Sequence, residues 1–297
     1  MKMFLLLFLF LSVLFSKDTI TWIIWDLPPN YIINGEKKGK GYQDIRLKIL
    51  QDKMPSYNHE TILMNVNRAI ATYKNRDDSQ TIYCTNDLIS HPTLDIDDYL
   101  SMATFHFEAT YLVASKEKAH LFGKTGESVV LKDLIQNPDL RLVVSKNRPY
   151  LGAGKVLDAY LKNHPQQKHI TFLSTLNIGK SMYSFVFANR ADYTFEYPFR
   201  ATYYGEETGF SDKMVIFPIK ENEGVFYGFV SCIKTKKGRQ VIDKVNDVLR
   251  EVKPTNEWLL PFVEWLPTKA LKDSYIKYYK EVFLPSREIY DTNPRSK

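Results

Sequence analysis

The sequence predicts an α/β protein of two lobes, the second inserted into the first. Strand-like and helix-like segments alternate along the chain, the pattern expected of helices packed against sheets. Two polar, glycine-containing stretches, residues 116–128 and 220–224, separate a compact central block from an outer part. Extended passages adjoin both stretches, so two connectors join the parts, as a hinge around a closing cleft requires. The chain has 297 residues and 44% apolar content, enough to bury two linked cores.

Residues 19–25 are rich in β-formers and read as the first strand. Asp26-Leu27-Pro28-Pro29-Asn30 ends it, because proline lacks the donor a ladder needs. After a turn at 39–42, a helix runs over 42–53 with Ile45, Ile49 and Leu50 on one face. A strand at 61–64, a helix at 67–75, a strand at 81–84 and an extended passage at 102–115 follow. The central block reads as helix 131–136, strand 140–145, helix 152–163, strand 170–173, helix 177–189, and strands 191–195 and 214–219. Met182, Phe185 and Val186 share one side of the last of these helices. Back in the outer part, 226–233 is strongly β-forming. The helix after Gly238 places Val241, Ile242, Val245, Val248 and Leu249 on one apolar face. The tail, 257–290, alternates aromatics with charge and reads as helical segments wrapping one lobe. The expected divisions are 1–16 as a signal peptide, 17–118 as the first part of lobe one, 119–222 as lobe two, and 223–297 as the return to lobe one with the tail.

The formal charge of +6 favours solubility and mild attraction to anions, and does not indicate nucleic acid. The densest basic run, Lys234, Lys236, Lys237 and Arg239, reads as a solvated turn before a helix. Lys2 followed by the apolar residues 3–15, interrupted only by Ser12, has the form of a secretory signal peptide. As a helix that stretch would reach roughly 20 Å, short of the ~30 Å hydrocarbon core, which favours a cleaved signal over a span. No cysteine follows it, so a lipid anchor is not indicated. The expectation is a soluble, periplasmic, monomeric protein. Cys84 and Cys232 are the two cysteines; in an exported chain they are either a disulfide or two buried thiols.

Catalytic motifs are missing. Gly152-Ala153-Gly154 begins a dinucleotide fingerprint without its third glycine. The sequence has no phosphate-binding loop of the G-x-x-x-x-G-K-[ST] type, no H-E-x-x-H and no G-x-S-x-G. His164 and His169 are five apart across Pro165, which suits neither a helical nor a hairpin metal pair. No cofactor or metal is expected, and the chain reads as a non-enzyme.

Four segments together carry a family resemblance: Thr21-Trp22-Ile23-Ile24-Trp25-Asp26-Leu27-Pro28-Pro29-Asn30-Tyr31-Ile32; Gly39-Lys40-Gly41-Tyr42-Gln43-Asp44; Asn189-Arg190-Ala191-Asp192-Tyr193-Thr194-Phe195-Glu196-Tyr197-Pro198; and Tyr227-Gly228-Phe229-Val230-Ser231-Cys232-Ile233-Lys234. In order and spacing they resemble the bacterial extracellular solute-binding proteins of family 3, the amino-acid-binding type, in a divergent branch. The resemblance implies a type II periplasmic-binding fold, two α/β lobes joined by a two-strand hinge, and an interlobe cleft for a small polar or zwitterionic ligand delivered to an ABC-type transporter. A sensory or interaction module of the same fold is the alternative, followed by a dehydratase- or lyase-like enzyme. It also implies that the third strand lies beside the return strand, which pairs Cys84 with Cys232. Two features depart from the family pattern. The stretch 84–92 lacks the arginine that usually clamps a ligand carboxylate, and Glu196 follows Asp192 by four residues where the family's ligand carboxylate comes five after.

The candidate ligand residues lie in loops at strand ends. Arg148, in the loop 145–150 before a glycine-opened helix, offers a forked donor to an anion; the alternative is a solvated loop charge. Glu196, in a nearly apolar strand, needs a partner: a ligand ammonium or hydroxyl, or structurally Arg200 or Arg190. Trp25 and Tyr31 flank the first loop and can stack on a ligand, though Trp25 equally suits the core. Tyr42, Tyr150, Lys180 and Tyr197 complete the set, while Asp44 and Asp192 read as helix-start and turn residues.

Overall fold

A computed structural model describes residues 17–65, 68–69, 71–72, 81–89, 98–146, 148, 150–174, 178–222 and 224–286. The expected signal peptide, most of the helix expected at 67–75 and the last part of the tail lie outside the described residues.

Two sheets build two lobes. In the first, β1 (Thr19–Ile24) runs parallel to β2 (Asn58–Leu63) and to β3 (Ile82–Ile89). Parallel neighbours need a crossover, and α1 (Tyr42–Lys53) supplies it between β1 and β2. The sheet is completed antiparallel by β11 (Val225–Ile233), which pairs with β3, β4 (Asp98–Leu100) and β5 (Phe105–Glu108). The second sheet has the order β10-β6-β9-β7-β8, from β6 (Tyr111–Ser115), β7 (Leu142–Ser145), β8 (Ile170–Leu173), β9 (Tyr193–Glu196) and β10 (Met214–Phe217). Helices α2 (Leu131–Gln136), α3 (Ala153–Asn163) and α4 (Ile178–Phe187) connect its strands. Met182 and Val186 of α4 pack on Val143 and Ala191, the face the sequence predicts.

The first crossing between lobes comes earlier than the polarity of 116–128 suggests. Strand β6 already belongs to the second sheet, pairing with β9 and β10, and its Leu112, Val113 and Ala114 are fully buried. The polar stretch marks the sheet's exit into an exposed 3₁₀ turn, Lys116–Leu121, and not the border between lobes. The chain returns between β10 and β11. The Cys84–Cys232 disulfide joins β3 to β11, where the two residues are register partners across an antiparallel pair. Closing a 148-residue separation constrains the unfolded chain by about 5 kcal/mol in the chain-entropy account.

Helix α6 (Lys236–Val252) buries Val241, Ile242, Val245, Val248 and Leu249, as its spacing predicts. The tail forms α7 (Asn256–Val263) and α8 (Lys269–Tyr278), ending in a π-turn at Tyr279–Phe283. It packs on lobe one: the His106 ring stacks on Tyr275 at 4.1 Å, and Phe105 meets Phe262 at 5.6 Å. Helix α1 is buried on a broader face than Ile45, Ile49 and Leu50, because α7 covers it as well. Arg46 is fully buried there, donating to the Trp258 carbonyl at 3.0 and 3.1 Å amid the rings of Tyr42, Phe105 and Trp258.

An additional helix, α5 (Pro198–Thr208), leaves the end of β9. Its proline sits at the start, where a missing N–H costs nothing, and Gly209 ends it at φ +71°.

Candidate functional site

The loop after β1 is held against the start of α1 by a glycine that no other residue can replace. A Cβ on Gly41 would meet the Asn30 carbonyl at 2.3 Å and the Pro29 carbonyl at 2.8 Å. Asp44 fastens this turn, accepting from the Gly41 and Ile32 amides at 3.0 and 2.9 Å, so it is the helix-start residue its position suggests. The loop, the head of α1 and the end of β3 converge on Asp87. Its carboxylate accepts from Asn30 Nδ2 at 2.9 Å on both oxygens, from Gln43 Nε2 at 3.1 Å and from Trp25 Nε1 at 3.0 Å. All four hydrogen bonds arrive from N–H donors, which favour the carboxylate form over the protonated one. Burial pushes its carboxyl up, and the bonds from Asn30, Gln43 and Trp25 with the charge of Arg200 oppose that rise. Beside it the Tyr31 hydroxyl donates to Asn86, whose amide donates to the Gln43 carbonyl at 3.1 Å.

The second lobe carries its own charged group. Arg148 and Glu196 form a forked ion pair: Nη1 donates to Oε2 at 2.9 Å and Nη2 to Oε1. Glu196 is fully buried and also accepts from the Tyr197 amide at 2.9 Å. The Arg148 guanidinium lies over the Tyr150 and Tyr197 rings at 5.1 and 5.8 Å. The Tyr150 hydroxyl accepts from the Ser145 amide at 2.7 Å.

An aromatic seam joins the lobes. Tyr197 and Phe199 of lobe two pack into the first lobe's core, with Tyr197 5.7 Å from Phe107 and Phe199 5.9 Å from Tyr42 and 5.3 Å from Phe262. Lys37 pairs with Glu206 across the seam, and Tyr203 meets Trp265 at 5.8 Å. Arg200, in the first turn of α5, lies over Tyr197 at 5.6 Å and Phe199 at 6.0 Å. It is 9% exposed, its Nε has no hydrogen-bond partner, and among the described residues no carboxylate pairs with it. Two more buried atoms in this region lack partners: Asn30 Oδ1 and the Tyr42 hydroxyl. Burial pushes the Tyr42 hydroxyl far up; Asp87 adds to the rise, while Arg200 and Arg46 oppose it.

The structure thus divides the sequence-derived candidates into three groups. Trp25, Tyr31 and Tyr42 gather around Asn86 and Asp87. Arg148, Tyr150, Glu196 and Tyr197 gather around one ion pair, and the partner of Glu196 is Arg148, not Arg200 or Arg190. Lys180 is half-exposed and pairs with Glu207 at 3.0 Å. Asp192 holds a turn: burial pushes its carboxyl up, but bonds from Arg141 and Lys118 outweigh this and keep it at about 2. Asn30, Asp87 and Arg200 are the residues that sequence reasoning missed. The proline at the start of α5 was a signal for a helix that would carry Arg200 to the seam. Among the described residues, no three His, Cys, Asp or Glu side chains gather as a metal site, and no helix is long and apolar enough to cross a membrane.

No protein-family model matches the chain, and no curated protein matches it in sequence. Solved structures match it in fold. One is a probable amino-acid ABC transporter extracellular-binding protein from Bacillus subtilis, at 15% identity and a TM-score of 0.60, over 85% of this chain and 99% of that one. Another, from work on glutathione import through GshT and the cystine ABC importer TcyBC of Streptococcus mutans, has 15% identity and a TM-score of 0.60 over 86% and 99%. A third is a histidine kinase sensor domain with similarity to periplasmic binding proteins, at 12% identity and a TM-score of 0.57 over 84% and 96%. The two lobes have the type II periplasmic-binding fold.

Proposed function

We propose that this chain is an exported solute-binding protein that captures a small polar, amino-acid-like ligand between its lobes and delivers it to an ABC-type transporter in the membrane. The carrying observation is the set of buried atoms at the seam that lack partners: Asn30 Oδ1, the Tyr42 hydroxyl and Arg200 Nε. A buried polar group without a partner costs about 1–3 kcal/mol, and a ligand presenting donors and acceptors at the seam removes that cost. The reading is non-catalytic. Glu196, the one candidate acid or base of the second-lobe group, is engaged by Arg148 and the Tyr197 amide.

Native mass spectrometry of protein purified from its own host should reveal a co-purified small molecule. Ligand at about 100 times its dissociation constant should stabilise the fold by about 2.7 kcal/mol, without turnover. A screen of amino acids, dipeptides, amines, organic acids and sugars with no thermal shift would sink the reading. A second reading, a sensory module, draws on the likeness to the kinase sensor domain. Cross-linking at the host membrane separates the two: a permease supports delivery, a receptor supports sensing.

A further inference from the structure

Asp87, Glu196 and Arg200 are buried, and Arg148 is part-buried. Arg148 and Glu196 satisfy each other, and both belong to the second lobe. Asp87 lies in the first lobe, bonded to Trp25, Asn30 and Gln43, and Arg200 in the second, and neither has an ion-pair partner among the described residues. They are not in salt-bridge contact, yet each lies within the other's field. The Tyr42 ring, itself exposed to the fields of both, stands 5.9 Å from Phe199, over which Arg200 lies.

On the Asp87 side, three donors, Trp25 Nε1, Gln43 Nε2 and an Asn30 Nδ2 shared between both oxygens, already surround the carboxylate. A ligand therefore meets the negative charge through the residues in front of it. Asn30 is tied to Asp87 by its Nδ2, which leaves its Oδ1 as a buried acceptor without a donor. The Tyr42 hydroxyl also lacks a partner, and its oxygen can accept as well as its O–H donate. Both oxygens can take an N–H donor, and the charge of Asp87, bonded to Asn30, favours a donor that carries positive charge. On the other side, Arg200 is a desolvated cation in the first turn of an 11-residue helix, where the helix dipole adds positive potential. It calls for an anion.

We infer that the seam binds a zwitterion in one orientation, its ammonium end on the first lobe at Asn30 Oδ1 and the Tyr42 hydroxyl in front of Asp87, and its carboxylate end on the second lobe at Arg200. This rests on the solute-binding reading and gives it a substrate class and a polarity. The polarity is the reverse of the arrangement the sequence resemblance implies, in which an arginine of the first lobe clamps the carboxylate and Glu196 of the second takes the ammonium. It also accounts for the absence of an arginine from 84–89, since α5 supplies one from the opposite lobe.

The test is calorimetric titration of the full protein, stripped of ligand by unfolding and refolding, with each of the twenty L-α-amino acids. For the tightest binder, two analogues follow: the amine without the carboxylate and the acid without the ammonium. The amino acid should bind at least about 30-fold more tightly than either analogue. Asp87→Asn and Tyr42→Phe should narrow the gap to the acid, Arg200→Gln the gap to the amine, and Lys180→Ala should change neither. Gaps set by Glu196 or Arg148, or an Arg200→Gln variant that narrows the acid's gap, overturn the assignment. Binding of a sugar or a simple amine, with no amino acid bound, overturns the zwitterion while leaving a solute-binding protein. Binding of no solute at all overturns both. Should Asp87→Asn fail to fold, Tyr42→Phe and the analogue comparison on the unaltered protein still decide the first-lobe half.

Discussion

Arg148 and Arg200 are the same residue in the same lobe, the first part-buried and the second buried, both lying over Tyr197, and they differ most in their partners. Arg148 has a carboxylate in fork geometry within its own lobe. Arg200 has none, and the opposite charge it feels sits on the other lobe. A buried charge with its partner in the same rigid body is part of that body. A buried charge whose counterpart lies across a hinge is, under the seam proposal, a site, because whatever bridges the two also draws the lobes together.

Breaking the first arrangement should have the largest effect. Glu196→Gln leaves the Arg148 cation buried and uncompensated and should cost about 3–5 kcal/mol of stability in urea unfolding. The double replacement Arg148→Met with Glu196→Leu should recover most of that. A loss below about 1 kcal/mol for Glu196→Gln would mean the pair is not structural.

A pH titration sharpens the difference between lobes. Burial, and then the charge of Arg46, push the first lobe's His106 down from 6.5 to about 3, so the fold holds it neutral while the unfolded chain protonates it. Stability should therefore fall as pH drops from 6.5 towards 3, by on the order of 2 kcal/mol at pH 5. The second lobe's Asp192 is held at about 2, so its contribution is present above 3.8 and lost only between 3.8 and 2. Acid should loosen lobe one first, as read by amide exchange, and His106→Phe should remove the loss at pH 5. Simultaneous loosening of both lobes would contradict this.

Arg200→Met, measured without ligand, should change stability by no more than about 1 kcal/mol, because no ion pair is broken. A cost as large as that of Glu196→Gln would place Arg200 in a structural role and erase the contrast between the arginines. The smallest effect belongs to Lys180→Ala. Its half-exposed pair with Glu207 should contribute about 0–1 kcal/mol, and ligand affinity should stay unchanged.

Much of this architecture was readable from pattern. The apolar stripe of α6, the bounds of α1 and α2, and the β-branched runs of β7 and β11 follow from periodicity and propensity, which act within a few residues. The border between lobes did not, because Tyr111–Ser115 is equally apolar whichever sheet it joins. Nor did α5, whose aromatic-rich sequence Phe199-Arg200-Ala201-Thr202-Tyr203-Tyr204 has no clean amphipathic period, since both lobes cover it. The site suffered most. Asp87 and Asn30 resemble ordinary loop and strand-end polar residues until the fold buries them, and Arg148 and Glu196 look like ligand contacts until the fold brings them together.

The pairing of Cys84 with Cys232 came as an implication of the family resemblance; by itself the sequence determined two α/β lobes and their order along the chain. Those features arise from hydrophobic period, turn chemistry and chain order, all written locally. Only the tertiary structure decided which charges cancel and which remain open. A carboxylate's partner is chosen by distances of a few ångströms between residues 48 apart in the chain, as for Arg148 and Glu196. Coulombic energy in a low-dielectric interior depends on that separation, and spacing along the chain carries no record of it.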